Sequence, residues 1–272
     1  GGVQYHVDTQ GSDTNDGKSW AKAVATIQKG IDLSNAYIDA LYDTSGPGEA
    51  KNETPYNTIW IRPGVYAENI VRTPYFCHLI GLGIHGTDTQ VEIHPAAGSC
   101  FAGIFRAVHL ANLWMEGSEA AAPIIDLTVA NMSIIEHCKF LPTIAGVTGI
   151  RTANSGWLTI RYCDFETGGV NLEYGIHCEV GFFNNARIHD NAIFADNTGI
   201  AFEMPVNAHQ TVIKDNVIDA TTKGVYDNGG MSFLINNWIH AANAIDHADA
   251  KKCIANHVIN VAAGAVETAG TD

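Results

Sequence analysis

Short apolar runs recur along the second half of the chain at nearly constant intervals. Each run has an apolar residue, two mostly polar residues, then Asn or Cys in most copies, followed by further apolar residues. Successive runs begin 25, 28, 25, 21 and 19 residues apart, and Leu110 extends the series by a further 25. A period of this length predicts a solenoid. The runs are Ile135-Glu136-His137-Cys138, Ile160-Arg161-Tyr162-Cys163, Ile188-His189-Asp190-Asn191, Ile213-Lys214-Asp215-Asn216, Leu234-Ile235-Asn236-Asn237 and Cys253-Ile254-Ala255-Asn256.

A second series of small-then-apolar pairs keeps step with the first. A leucine-rich repeat has a similar period, but it needs a leucine framework and a helical segment in each unit. The segments here are short and β-branched, and Gly, Asn and Thr separate them, which indicates strands and turns. We therefore predict an all-β parallel β-helix with one coil per repeat. The pairs are Gly149-Ile150, Gly175-Ile176, Gly199-Ile200, Gly224-Val225, Ala244-Ile245 and Ala265-Val266.

The amino-terminal segment has a different pattern, which predicts a strand, a turn and a helix within residues 1–50. Ser19 is placed to cap this helix, and apolar residues recur on one face of it. A solenoid end exposes apolar side chains and strand edges, so we expect the helix to cover the first coil. Residues 56–267 then form the coils of a single domain. The apolar face comprises Val24, Ile27, Ile31, Ile38 and Leu41.

Composition supports one domain and excludes two classes of partner. The chain has 272 residues, of which 46% are hydrophobic and 16% are charged, enough to bury a continuous core. No run approaches the roughly 18 apolar residues of a membrane span. The net charge of -14 opposes contact with phosphate backbones. We therefore expect neither a membrane nor a nucleic acid as partner.

The six cysteines have an even number, which permits disulfides. However, Cys138 and Cys163 occupy the same repeat position, where later coils carry Asn. Stacked small side chains explain that placement, so we expect free, buried thiols. No close pair has the spacing of zinc ligands, and we expect no metal or other cofactor.

Several segments near the amino terminus resemble one known superfamily. They are Tyr5-His6-Val7-Asp8, Gly11-Ser12-Asp13, Asn15-Asp16-Gly17, Trp20, Ala25-Thr26-Ile27-Gln28, Ile61-Arg62-Pro63-Gly64-Val65-Tyr66-Ala67-Glu68 and Leu79-Ile80-Gly81-Leu82-Gly83. Together with the repeats, they are similar to the right-handed β-helix proteins of the pectin-lyase-like superfamily. The resemblance implies a single-stranded right-handed parallel β-helix. It leaves activity open, because this superfamily hosts lyases, hydrolases, esterases, epimerases and noncatalytic phage proteins.

The catalytic motifs of the superfamily are missing from this chain. Pectin methylesterases share the Pro-Gly-Val-Tyr segment, but their other motifs do not occur, and neither do those of polygalacturonases or pectate lyases. The resemblance therefore favours a noncatalytic phage protein, tailspike-like or capsid-decorating, found on a virion or outside the cell. The alternative is a polysaccharide-degrading lyase or glycoside hydrolase. No second capping helix follows the last repeat, so we expect copies of the chain, as a homotrimer, or other virion proteins to shield it.

The predicted coil geometry defines two outward columns of side chains. Alternate residues of a strand face outward, and equivalent positions of successive coils stack. Isoleucines and valines of the second series point inward in this arrangement. The first outward column is Arg151, His177, Ala201, Tyr226 and Asp246. The second is Ala153, Glu179, Glu203, Asn228 and Ala248. The polar members form a candidate surface for binding a polysaccharide.

Glu179 and Glu203 are the candidate catalytic residues. Neighbouring coils lie about 4.8 Å apart, so the two carboxylates should repel each other. A retaining glycosidase needs carboxyl groups about 5 to 5.5 Å apart, which this pair could reach. The simpler interpretation is that both side chains are solvated, because an acidic chain stacks some carboxylates by chance.

Other polar groups have a structural and a functional interpretation. We expect Asn191, Asn216, Asn237 and Asn256 to form a hydrogen-bonded ladder at a turn rather than a binding row. Asp8, Asp13 and Asp16 suit turn chemistry better than calcium, because the segment lacks a complete calcium-binding loop.

Histidines and aromatic residues also have two interpretations. His240 and His247 have a spacing usable by a metal, but they lie on separate predicted strands, which favours structural roles. Five aromatic residues could stack on sugar rings, although local packing at coil corners is the expected role. They are Trp157, Tyr174, Phe182, Phe183 and Trp238.

Overall fold

The protein is a parallel β-helix with an α-helix near its amino terminus, which is the predicted fold class. The computed structural model describes residues 2–42, 56–83, 89–166, 169–203, 210–229, 232–247, 252–260 and 265–269. Within these ranges the strands of successive coils stack in register into three parallel sheets, here named sheets A, B and C. No helix in the described ranges is long and apolar enough to cross a bilayer.

Sheet A contains the three-residue strands of the first repeat series and the first strand of the chain. Each strand pairs in parallel with the equivalent strand of the next coil, for example Ile160 with Ile188 and Ile188 with Ile213. The strands are β1 (Gln4–Val7), β2 (Asn57–Ile61), β4 (Tyr75–Gly81), the second half of β6 (Phe101–Ala111), β9 (Ile134–Glu136), β12 (Thr159–Arg161), β15 (Arg187–His189), β17 (Val212–Lys214), β20 (Phe233–Ile235) and β23 (Cys253–Ile254).

Sheet B follows sheet A after a single tight corner in each coil. Its inward side chains stack as a column, in which the Phe140 and Phe165 rings lie 4.5 Å apart and nearly parallel. The strands are β3 (Gly64–Tyr66), β5 (Val91–Ile93), β7 (Trp114–Gly117), β10 (Lys139–Pro142), β13 (Asp164–Phe165), the first half of β16 (Ala192–Phe202), β18 (Val217–Ala220), β21 (Trp238–Ala241) and β24 (Asn256–Asn260).

Sheet C carries the second repeat series and the predicted surface site. Ile150, Ile176, Ile200 and Val225 are fully buried and stack from coil to coil, as predicted. The strands are the first half of β6, β8 (Ile125–Asn131), β11 (Thr148–Gly156), β14 (Leu172–Asn184), the second half of β16, β19 (Lys223–Asp227) and β22 (Asn243–His247).

The glycines that precede four inward residues of sheet C have no room for a side chain. A Cβ on Gly175 would lie 2.4 Å from Cγ2 of Ile193 in sheet B and 2.6 Å from the carbonyl oxygen of Gly199 in the next coil. Gly199 meets the same restriction against Ile218 and Gly224. The small residue of the second series therefore marks a place where sheets B and C lie close together.

The α-helix, α1 (Ile27–Tyr42), is capped differently from the prediction. Ser19 instead precedes a short 3-10 helix, Trp20–Lys22, and its side chain makes no capping hydrogen bond. The hydroxyl of Thr26 accepts the Lys29 N–H at 3.2 Å. The Glu68 carboxylate accepts the N–H groups of Ile27 and Gln28 at 2.8 and 2.9 Å. A carboxylate from the first coils thus binds the positive end of the helix.

One side of α1 packs on the first coil, as predicted for Ile27, Ile31 and Ile38, which are all buried. The prediction was wrong for two members of the apolar face. Val24 is buried before the helix begins, and Leu41 is 51% exposed in its last turn.

The predicted asparagine ladder lies at the corner between sheets A and B. Nδ2 of Asn191 donates to Oδ1 of Asn216 at 3.0 Å, and the same bond joins Asn216 to Asn237 and Asn237 to Asn256. Each amide also donates to a backbone carbonyl of the preceding coil, such as Ile188 for Asn216. The prediction of a structural ladder is confirmed.

Cys138 and Cys163 continue the ladder column toward the amino terminus. Their thiols lie near backbone carbonyls of the preceding coil, at 3.9 Å from Leu110 and 3.7 Å from Ile135. All six cysteines are free and buried, as predicted. Burial raises the pKa of the Cys163 thiol, which keeps it protonated and unreactive.

The last described strand departs from the predicted stacking. The pair Ala265-Val266 was expected to form another parallel coil above Ala244-Ile245. Instead β25 (Ala265–Ala269) runs antiparallel to β24, with Val266 opposite Ile259. The strand therefore covers an edge of sheet B that the sequence pattern left uncovered, because the chain folds back instead of completing a coil.

Candidate functional site

The first predicted surface column exists on sheet C in the predicted register. Arg151 lies opposite His177, His177 opposite Ala201, Ala201 opposite Tyr226, and Tyr226 opposite Asp246. Ala201 is fully buried. It separates a larger polar cluster around His177 from a smaller one around Tyr226.

Arg151 is fixed by a residue that the sequence prediction did not include. Its Nε and Nη2 donate to the two carboxylate oxygens of Asp126 at 3.0 and 2.8 Å, which is a bidentate pair. Nη1 lies 3.6 Å from the Glu179 carboxylate. Hydrogen bonding to Asp126 raises the pKa of Arg151. Extending the second series back by one step of 25 residues, to Ile125, would have revealed Asp126.

His177 forms the centre of the larger cluster. Its ring is almost parallel to the Tyr174 ring, with centroids 4.2 Å apart. Nδ1 lies 3.8 Å from the Glu179 carboxylate and Nε2 lies 3.4 Å from the Glu203 carboxylate. The Nε2 contact is close enough for an ion pair but not aligned as a hydrogen bond within the described ranges. The side chain of His177 is only 7% exposed.

Glu179 and Glu203 extend from neighbouring coils, as predicted, because the Glu203 N–H donates to the carbonyl of Cys178 at 3.2 Å. The sequence prediction considered their mutual repulsion alone. The structure adds His177 within 4 Å of both carboxylates and the Tyr174 hydroxyl, which donates to Glu203 at 3.2 Å. Burial, followed by the charge of Glu203, raises the pKa of Tyr174 to about 12, so the hydroxyl remains a donor at neutral pH.

Of the remaining predicted binding residues, Tyr226 and Asp246 belong to the smaller cluster, and Asn228 supports the backbone. The Lys223 ammonium lies 3.6 Å from the centre of the Tyr226 ring and 2.8 Å from the Asp246 carboxylate. Asn228 donates to the backbone carbonyl of Glu203 at 2.9 Å, so it steadies the strand end. Ala248 of the second column lies outside the described residues.

Ser232, Asp227 and His247 form a buried cluster that the sequence did not predict. Asp227 and His247 are the last residues of β19 and β22 in sheet C. Oδ2 of Asp227 accepts the Ser232 hydroxyl at 2.6 Å and the Ser232 N–H at 2.9 Å. Nε2 of His247 lies 3.4 Å from that same oxygen and 3.5 Å from the Ser232 hydroxyl. A catalytic triad places the Ser and Asp on opposite ring nitrogens. Here one nitrogen contacts both and Ser232 is fully buried, so the set is structural.

Burial alone would raise the pKa of Asp227, but hydrogen bonds from His247 and Ser232 outweigh it and lower the value to about 2. Burial alone would lower the pKa of His247, but the bond to Asp227 outweighs that effect and raises it. The pair is thus an ion pair held inside the coil. His240, the other histidine considered for metal binding, contacts Asp219 at 2.8 Å on a separate strand.

In the described part of the chain, no group of three or more His, Cys, Asp or Glu side chains is arranged to hold a metal. The aspartates of the amino-terminal turn instead bind protein groups. Asp13 accepts the N–H groups of Ala25 and Thr26 at 2.8 and 3.0 Å, and Asp8 pairs with Arg62 at 2.7 Å. Asp16 accepts the Lys18 N–H at 3.0 Å.

The five aromatic residues divide between the two roles considered for them. Phe183 is fully buried and Tyr174 stacks on His177, which agrees with local packing. Phe182 and Trp238 are each 37% exposed. Trp157 is 63% exposed, so the packing interpretation was wrong for it. It lies at the corner between sheets C and A, where its backbone has a φ of 55°.

The outer surface of the coils therefore carries carboxylates that contact protein partners, together with outward aromatic and basic groups. These groups can bind sugar hydroxyls, but Glu179 and Glu203 are committed to protein partners. No known protein-family model, curated protein or solved structure matches this chain.

Proposed function

We propose that this chain is a virion-associated structural protein of the pectin-lyase-like superfamily, tailspike-like or capsid-decorating, which contacts surface glycans without cleaving them. The proposal includes a location on the virion or outside the cell and assembly as a homotrimer. It combines the sequence resemblance with a β-helix whose outward polar residues form a firm contact surface. Stacked parallel coils suit this role, because they display side chains at fixed spacing.

The observation that supports a noncatalytic role most directly is the pairing of the candidate carboxylates. A glycosidase acid must be free to give its proton to the leaving oxygen, and its partner must reach the sugar carbon or a water. Glu203 accepts the Tyr174 hydroxyl and lies beside His177, and Glu179 lies between His177 and Arg151. These contacts join both carboxylates to protein partners within one surface network.

A product screen tests the absence of cleavage. Bacterial polysaccharides are incubated with the wild-type protein, and reducing ends and unsaturated products are measured. We expect no products above the level of heat-denatured protein. Products that disappear in both Glu179→Gln and Glu203→Gln, but persist in the Glu173→Gln control, would replace the proposal with a polysaccharide-degrading enzyme.

Assembly is tested separately by mass photometry and light scattering over a range of concentrations. We expect a particle of three chains. A protein that stays monomeric at high concentration would contradict the proposed homotrimer, and the product screen would still report on catalysis.

A further inference from the structure

Two neighbouring cavities lie on the outer surface of sheet A, away from the predicted columns on sheet C. One has a volume of about 410 Å³ and the other about 380 Å³. Arg187 and Val212 line both cavities, so the two join into a single groove. We name this the sheet A groove.

The coil register brings the polar residues of the groove together. Thr159, Arg187 and Val212 stack as one outward column of β12, β15 and β17. Two positions further along the same strands, Arg161, His189 and Lys214 stack as a second column. The two columns point to the same side of sheet A because side chains alternate along a strand. Four residues that carry or can carry positive charge are thereby placed within three adjacent coils.

Corner residues form the rim of the groove on the side of sheet C. Trp157, Asn185 and Gln210 line it and have φ values of 55°, 54° and 57°. This left-handed conformation recurs at the same corner of successive coils. The indole of Trp157, 63% exposed, stands at one end of the rim and offers an apolar face beside polar amides.

The groove is lined by basic and uncharged side chains. The chain has a net charge of -14, yet no described carboxylate lines either cavity. The nearby acids lie at the margins, where Glu136 binds Arg161, Asp190 binds His189 and Asp215 binds Lys214.

Arg187 differs from the other cations of the groove. It is exposed, lines both cavities, and makes no ion pair with any carboxylate in the described ranges. An arginine presents a planar fork that binds a carboxylate through two parallel hydrogen bonds. Its position between Trp157 and Lys214 leaves that fork available to a ligand.

We propose that the sheet A groove binds an acidic oligosaccharide, with a uronate carboxylate at Arg187 and a sugar ring on the Trp157 face. Aromatic side chains offer an apolar face, and Thr159, Asn185 and Gln210 supply hydrogen bonds to hydroxyls. The inference rests on the proposed function, since it names the site and the ligand class through which the protein contacts glycans.

Titration calorimetry tests the inference with charged and neutral sugars of equal length. The acidic probes are hyaluronan and alginate hexasaccharides, and the neutral probes are chitohexaose and cellohexaose. We expect at least one acidic probe to bind more tightly than both neutral probes, and the binding to weaken as salt rises. Arg187→Gln should weaken it by about tenfold or more, the usual effect of losing a charged hydrogen bond.

Two further variants locate the site. Trp157→Ala should weaken binding of the acidic probe severalfold, whereas Lys18→Gln removes an exposed cation from the amino-terminal turn and should leave binding unchanged. The inference is wrong if neither acidic probe binds more tightly than the neutral ones, or if Arg187→Gln binds within twofold of the wild type. Chromatography of the titrated sugars separates the two proposals, because cleaved sugars contradict the noncatalytic role even where groove binding is confirmed.

Discussion

The asparagine ladder and the outer column of sheet C are built on the same repeat but have opposite environments. Both place polar side chains at equivalent positions of successive coils. Asn191, Asn216 and Asn237 are buried and repeat one amide-to-amide bond. Arg151 and Asp246 lie outside, partly exposed, and the chemistry changes from coil to coil.

This difference shows that burial, more than spacing, sets the energetic value of a polar column. Inside the coil, a lost partner leaves a donor or acceptor without water, which costs about 1 to 3 kcal/mol per group. Outside, water replaces the lost partner, and an exposed ion pair contributes about 0 to 1 kcal/mol. Each polar group of an inner column therefore needs a partner within the protein, whereas outer columns are open to variation and to ligands.

The strongest test of the comparison uses the buried ion pair of Asp227 and His247. We expect Asp227→Asn to lower the free energy of unfolding by about 3 to 5 kcal/mol, because it leaves a buried charge without its partner. Urea unfolding measures the change. The matched control is Asp246→Asn, which removes an exposed carboxylate on the neighbouring coil. An equal effect of the two variants would contradict the role given to burial.

We also expect the stability difference between the wild type and Asp227→Asn to depend on pH. The lowered pKa of Asp227 contributes stability that is present above its unfolded value, near 4, and is lost as the pH falls toward 2. The raised pKa of His247 contributes stability that is present below its unfolded value, near 6.5, and is lost as the pH rises through the raised value. The wild type should therefore exceed Asp227→Asn most between about pH 4 and 6.5. A constant difference up to pH 9 would contradict the ion pair.

A second test removes one member of the ladder. Asn216→Ala should lower the free energy of unfolding by about 2 to 4 kcal/mol, because Asn191 and Asn237 both lose a bonded amide inside the protein. Urea unfolding again measures the loss. Asn228→Ala provides the control, since it removes one amide bond to a backbone carbonyl at an exposed position. A control that destabilises as much as Asn216→Ala would contradict the comparison.

The smallest effect is expected on the outer column. Arg151→Gln should lower the free energy of unfolding by less than about 1 kcal/mol, because water replaces a partner of the half-exposed Asp126. The loss should shrink further in 1 M salt, which screens surface pairs. A loss greater than that of Asn216→Ala would place the outer column among the structural elements of the fold.

Much of the fold followed from period alone. The positions of Ile150, Ile176 and Ile200 predicted both the stacking and the inward direction, because a two-residue alternation leaves one face for the core. The structure near the two termini did not follow from the period. Ser19 has the chemistry of a cap, yet Glu68 from a distant coil binds the helix, and β25 turns back where the pattern predicted another coil.

The surface site was predicted in its positions but not in its contacts. Register placed His177 next to Arg151 and Ala201 correctly. The ring of Tyr174 over His177 depends on side-chain torsions that no repeat specifies. The groove around Arg187 was missed for a related reason, because the first repeat series predicted a period and not which of its side chains meet on the outer surface.

The sequence by itself determined that this protein is a β-helix, which residues point inward, and which polar residues form columns. Repetition carries that information, because each coil must bury the same positions against its neighbours. The tertiary structure alone decided which columns are buried, which charges are paired, and where Arg187 is left available beside Trp157. Those properties depend on how the side chains of three coils pack at one corner. The repeat period does not specify that packing.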